Sequence, residues 1–168
     1  MKQLIVDGYN VMFSTEPYRE LVSSEQWETA RTTLIDHVAC YAKPGFEATV
    51  VFDGTRNADP EREPEDRAGV RVLFSPYGQT ADATIERLCA EARRRGEDVE
   101  IVSSDETLQW TALGAGVIRR SAAEFADTLQ HGYREWERDR DGAPARVFLE
   151  DRVSREGRAL LEQIRRQS

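Results

Sequence analysis

Five short apolar runs constrain this chain more than anything else in it. They are Leu4–Val6, Ala48–Phe52, Val70–Phe74, Val99–Val102 and the pair Val117-Ile118. Such runs read as buried strands. Between and after them, apolar residues recur at helical spacing. Trp27, Ala30, Leu34, Val38 and Tyr41 mark one helix, stopped by Pro44-Gly45. Ala81–Arg95 forms another, with Ile85, Leu88, Cys89 and Ala92 inward and Gly96 closing it. A short helix is expected from Glu106 to Leu113. Ser121 and Glu124 form a capping box, and the helix after it buries Ala122, Phe125, Leu129, Tyr133 and Trp136. Apolar strands alternating with amphipathic helices predict a three-layer α/β/α fold around a mostly parallel sheet of about five strands. Val70–Phe74 is expected at an edge, because polar residues interrupt it. The segment 54–69, charged and proline-containing, reads as a loop. Ligands of such sheets bind at the carboxyl ends of the strands.

A chain of 168 residues is read as a single domain, with 141–168 a C-terminal extension packed on it and Val153–Arg166 its helix. A domain near this size buries roughly 70% of its unfolded surface, so it needs neither disulfides nor structural metal. There is no internal repeat. No apolar run approaches the ~20 residues of a membrane span. The strand pattern begins directly after Met1-Lys2, so no signal peptide is expected. Cys40 and Cys89 fall on apolar helix faces, as in a reduced cytoplasmic protein. His37 and His131 form no ligand motif.

The four acids that follow the strands carry the chemistry. Asp7 follows the first strand, Asp53 the second and Asp105 the fourth; Asp82 lies in the first turn of the helix after the third. All four fall at one edge of the sheet. Singly, each has an ordinary explanation as a helix-terminal acid or a turn residue. Together they need a counter-charge, because two carboxylates about 4 Å apart repel by roughly 4 kcal/mol at an effective dielectric of about 20. No lysine lies in any of these segments. Oxygen donors of this kind suit a hard cation, Mg²⁺ or Mn²⁺, and such a cation commonly meets substrate phosphates. A dinucleotide cofactor is disfavoured, since no Gly-x-Gly-x-x-Gly follows the first strand. A phosphatase with an aspartyl nucleophile would commonly want a second acid two residues after Asp7, where Tyr9 stands.

The ordered segments LIVDGYNVMF, VVFDG, SPYGQTADATIERL, VEIVSSDETLQW and GVIRRSAAEF resemble the YacP-like branch of the NYN nucleases over about residues 3–130. The resemblance implies a PIN-like fold and a metal-dependent endoribonuclease. It implies Asp7, Asp82 and Asp105 as metal ligands, with Asn10 and Asp53 lining the same pocket. Gln79 stands where the family often has an acid, so a fourth carboxylate is missing. Tyr9 is read as core packing ahead of base stacking.

The net charge is −8 and the pI about 4.9, which argues against a strong grip on free polyanions. The basic residues are two lysines and 21 arginines. Arg119 and Arg120, after the fifth strand, and Arg56, in the long loop, are the candidate phosphate ligands. Arg93–Arg95 end a helix at the opposite sheet edge and suit its dipole. The expected substrate is single-stranded RNA, mRNA by the resemblance, with the ribosome as a delivery partner. The rival readings are a catalytically inactive RNA- or ribosome-binding module and a small-molecule phosphatase.

Overall fold

The computed structural model describes residues 1–42, 45–54, 63–104 and 116–129. Six strands form one sheet: β1 (Lys2–Asp7), β2 (Phe46–Phe52), β3 (Glu65–Arg67), β4 (Val70–Phe74), β5 (Asp98–Val102) and β6 (Val117–Arg120). Their order is β3-β4-β2-β1-β5-β6. All neighbours are parallel except β3 with β4. The helices are α1 (Gly8–Ser14), α2 (Tyr18–Ser23), α3 (Trp27–Tyr41) and α4 (Ala81–Arg94), followed by α5, described over 122–129.

Strand alternation sorts the core into two layers. Leu4, Val6, Ala48, Val50, Phe52, Val70, Val72 and Val102 pack under α1–α3 and α5. Ile5, Val51, Val99 and Ile101 pack under α4 through Ala81, Ile85, Cys89 and Ala92. This is the expected α/β/α sandwich. The α4 stop is a Schellman motif: Gly96 takes φ 71°, and Gly96 and Glu97 donate to the Arg93 and Ala92 carbonyls at 2.9 and 3.1 Å. The Ser121/Glu124 box also forms, with Glu124 Oε2 accepting from the Ser121 amide at 3.0 Å and Ser121 Oγ accepting from the Glu124 amide at 3.2 Å.

Three expectations change. The segment 54–69 is not all loop, since β3 pairs antiparallel with β4 and takes its place at the edge. Polar interruption of β4 reflects an exposed Arg71 on the α4 side of the sheet, where it lines a groove with Leu88 and Glu91, rather than a free edge. Cys40 is exposed while Cys89 is buried. The buried stripe of α3 runs through Ala30, Leu34 and Val38, and Cys40 lies two residues past Val38, on the opposite flank of the helix. His37 serves the fold: Tyr18 Oη lies 2.7 Å from its Nδ1, and burial holds its pKa below the ordinary value. Expectations for residues 106–113, His131, Tyr133, Trp136 and 141–168 fall outside the described residues.

Candidate functional site

The chain leaves β1 toward β2 through α1–α3, and returns from β4 through α4 to β5 on the other side of β1. Connections therefore diverge at the carboxyl end of β1, and such a switch point opens a crevice. Asp7 is the last residue of β1 and only 8% exposed. It also caps α1, its Oδ1 accepting the Asn10 amide at 3.1 Å. By alternation Asp7 shares a face with Ile5, its partner in the ladder is Val51, and Asp53 follows directly after the end of β2. That face is covered by α4. Thr80 caps α4 through the Ala83 amide at 3.3 Å, which sets Asp82 in its first turn at the same sheet edge. Asp7, Asp53 and Asp82 are thus brought to one edge of the sheet.

Asn10 reaches the other side of the crevice. Its Oδ1 accepts the Ser104 amide at 2.8 Å, across 94 residues of sequence. Ser104 Oγ in turn accepts the Ala122 amide at 2.9 Å, at the start of α5. Asn10 therefore locks the backbone immediately before Asp105 onto α1. Asp105 itself lies outside the described residues, as do Arg56 and Trp110. Asn10→Ala is expected to cost about 1–2 kcal/mol by leaving the Ser104 amide unpaired, read as a lowered denaturant midpoint.

Two glycines permit this edge to form. A Cβ on Gly8 would lie 2.3 Å from the Phe52 ring, which is fully buried. A Cβ on Gly54 would lie 1.9 Å from the Ser75 carbonyl oxygen. Ser75 staples the region together. Its amide donates to Phe52 O at 2.9 Å, its Oγ accepts the Gly54 amide at 2.8 Å, and its hydroxyl donates to Gln79 O at 2.8 Å. Gln79 is exposed and its amide donates to Pro76 O at 2.9 Å.

The arginine candidates separate. Arg119 shares the α4 face with Val117, is exposed, and its Nε donates to Ser103 O at 3.4 Å. Arg120 points to the opposite face. Its Nε pairs with Glu100 Oε1 at 2.7 Å, and Glu100 is nearly buried and also within 3.4 Å of Tyr41 Oη. Its guanidinium thus serves packing between β5, β6 and α5. Arg120→Met is expected to lower stability by about 1–3 kcal/mol, because Glu100 loses its partner; thermal melting checks it. Arg95 pairs with Glu97 at 2.8 Å at the far end of α4.

Tyr9 packs rather than stacks on a ligand. It is 6% exposed, its ring lies 5.1 Å from Phe52 and 6.3 Å from Trp27, and its hydroxyl accepts from Arg31 at 3.0 Å. Among the described residues, no three His, Cys, Asp or Glu side chains cluster closely enough to hold a metal by themselves. The described metal-ligand candidates, Asp7 and Asp82, are both carboxylates, the donor chemistry of a hard cation.

Comparison with known proteins follows the same lines. The model of the YacP-like NYN domain matches residues 4–166. The chain is 32% identical over 139 residues to the "Uncharacterized protein YacP" of Bacillus subtilis (strain 168), covering 82% of this chain and 81% of that one. The crystal structure of Rae1 (YacP) from Bacillus subtilis superposes with a TM-score of 0.72 at 31% identity, covering 84% of this chain and 81% of that chain. A mutant of the same protein gives 0.71 at 28% identity, covering 98% and 99%.

Proposed function

The chain belongs to the YacP-like NYN domain family, and from that premise we propose that it is a Mg²⁺- or Mn²⁺-dependent endoribonuclease. Its substrate is single-stranded RNA, with mRNA the natural class. The observation that carries the reading is the placement of Asp7, Asp53 and Asp82 along the carboxyl edge of the sheet about β1, with Asn10 fastening Ser104 beside them.

Asp7, Asp82 and Asp105 would hold the cation, with Asp53 and Gln79 at its margin. Bound there, it would supply Lewis-acid polarisation of the phosphoryl oxygens and a hydroxide-like nucleophile at neutral pH. The chain's own residues do the positioning. Asp7 is oriented by the Asn10 amide, which its Oδ1 accepts. Asn10 sets the Ser104 backbone. Arg119, on the α4 face, offers its guanidinium to the RNA backbone while its Nε stays on the Ser103 carbonyl. A net charge of −8 keeps nonspecific affinity low, which suits a substrate delivered by a partner such as the ribosome.

The test is cleavage of a labelled mRNA with Mg²⁺ or Mn²⁺, free and on translating ribosomes, before and after chelation. Cleavage that disappears with chelation and returns with metal supports the reading. Cleavage of neither substrate overturns it in favour of a binding module. Turnover of p-nitrophenyl phosphate without RNA cleavage favours a phosphatase.

A further inference from the structure

Tyr9 packs in the core as expected, yet the candidate edge carries an exposed aromatic. Tyr77 is 81% exposed. Among the described residues no other large apolar side chain is so exposed, and Met1, the next, is the chain's first residue at 67%. Leaving an aromatic in water contributes nothing to the fold. It is also not carried on a loose loop. Pro76 to Gln79 make a turn closed by the 2.9 Å bond from the Gln79 amide to Pro76 O, with Gly78 at φ 79°. This is the arrangement of a type II turn with glycine at its third position. Ser75 ties both ends of the turn to β2 through Phe52 O, the Gly54 amide and Gln79 O. The mount therefore sits beside Asp53-Gly54, with Tyr77 four residues before Ala81, where α4 begins. The strands β4 and β1 are two spacings apart, about 10 Å. A nucleotide flanking a phosphate over Asp7 can reach that distance.

We propose that Tyr77 is a stacking platform for a nucleobase of the single-stranded substrate, next to the scissile phosphate. The inference rests on the reading of the chain as an RNA-cleaving enzyme. A tyrosine has few rotatable bonds, and this one stands on a hydrogen-bonded turn, so little order is lost when a base lands on it. Stacking on an aromatic accepts any base, so the contact supplies affinity and register rather than sequence choice. It also answers the acidic surface: a stacked base holds RNA without a phosphate contact.

The experiment is a titration of a fluorescently labelled single-stranded oligoribonucleotide by the full chain in EDTA, so that neither metal nor cleavage enters. Tyr77→Ala is expected to weaken binding about 5- to 150-fold, the loss of one base–aromatic stack. Tyr77→Phe and Tyr77→Trp should stay within about threefold of wild type, and circular dichroism should be unchanged in all three. The slope of affinity against salt should not change in Tyr77→Ala, because no phosphate contact is removed. A single abasic nucleotide, moved along the oligonucleotide, should reproduce the loss at one position in wild type and add nothing in Tyr77→Ala. Equal RNA affinity of Tyr77→Ala and wild type overturns the proposal. So does a loss in Tyr77→Phe as large as in Tyr77→Ala, which would make the hydroxyl and not the ring the contact. If Tyr77→Ala binds RNA normally but loses ribosome binding, the residue contacts protein and the proposal is likewise wrong. Failure of wild type to cleave RNA with metal is a separate result, and it would leave these binding measurements readable.

Discussion

Asp7→Asn is expected to lower metal-dependent RNA cleavage at least about 100-fold while the protein stays folded. Residues that only orient a metal ligand typically cost 10–100-fold when replaced, so loss of a ligand's charge should cost no less. The substitution is close to isosteric. Its side-chain oxygen can still accept the Asn10 amide, now made at 3.1 Å, and asparagine caps helices about as well as aspartate. Stability should therefore move by less than about 1 kcal/mol. Asp7→Ala separates the two roles, since it removes the cap as well and adds a loss of about 1 kcal/mol. Single-turnover cleavage with Mn²⁺, beside a thermal melt, reads both effects. An Asp7→Asn enzyme that cleaves like wild type would show that the site is misplaced.

Gly54→Ala should be the most damaging small substitution in the described chain. The added carbon would lie 1.9 Å from the Ser75 carbonyl oxygen. That oxygen belongs to backbone and cannot swing aside like a side-chain tip. Ser75 is held by its own amide on Phe52 O at 2.9 Å and by the Gly54 amide on its Oγ at 2.8 Å. Relief requires the ends of β2 and β4 to part. A loss of about 3 kcal/mol or more is expected, which in a domain of this size lowers Tm by roughly 6–12 °C. The parting would also displace Asp53 and the Tyr77 turn, so activity should fall further than the fraction unfolded explains. Gly45→Ala is the comparison: no atom stands within 4 Å of its Cβ, and only its φ of 98° opposes a side chain. It should cost about 1–2 kcal/mol. Equal losses in the two variants would mean that the close approach at Ser75 relaxes freely.

The strands were legible because both faces of the sheet are covered, which makes each strand a near-continuous apolar run. The placement of Asp7, Asp53 and Asp82 followed from those strands. What escaped the sequence lacked an internal signal. The strand β3, Glu65-Asp66-Arg67, is wholly exposed and exists only as a partner for β4. The helix α1 begins with glycine and spans seven residues, too short to be stable alone; burial of Val11 and Met12 and the Asp7 cap hold it. That cap, with apolar residues four and five positions on, was the readable clue. Arg120 looked like a phosphate ligand because its partner lies 20 residues away. The clue there was Glu100, a carboxylate inside an apolar strand that demands a cation. The bond from Ser104 to Asn10 spans 94 residues and belongs to tertiary structure alone.

The placement of β1 in the middle of the sheet has a consequence for the life of the chain. Its first strand acquires β2 early, but its other neighbour, β5, comes more than 90 residues later. Until β5 docks, Asn10 has no Ser104 to hold and one wall of the crevice does not exist. Partly synthesised chains and fragments cut before residue 104 therefore lack that wall of the crevice. On the proposed reading the site is completed only once β5 has docked against β1, so a half-made chain would be an inactive one.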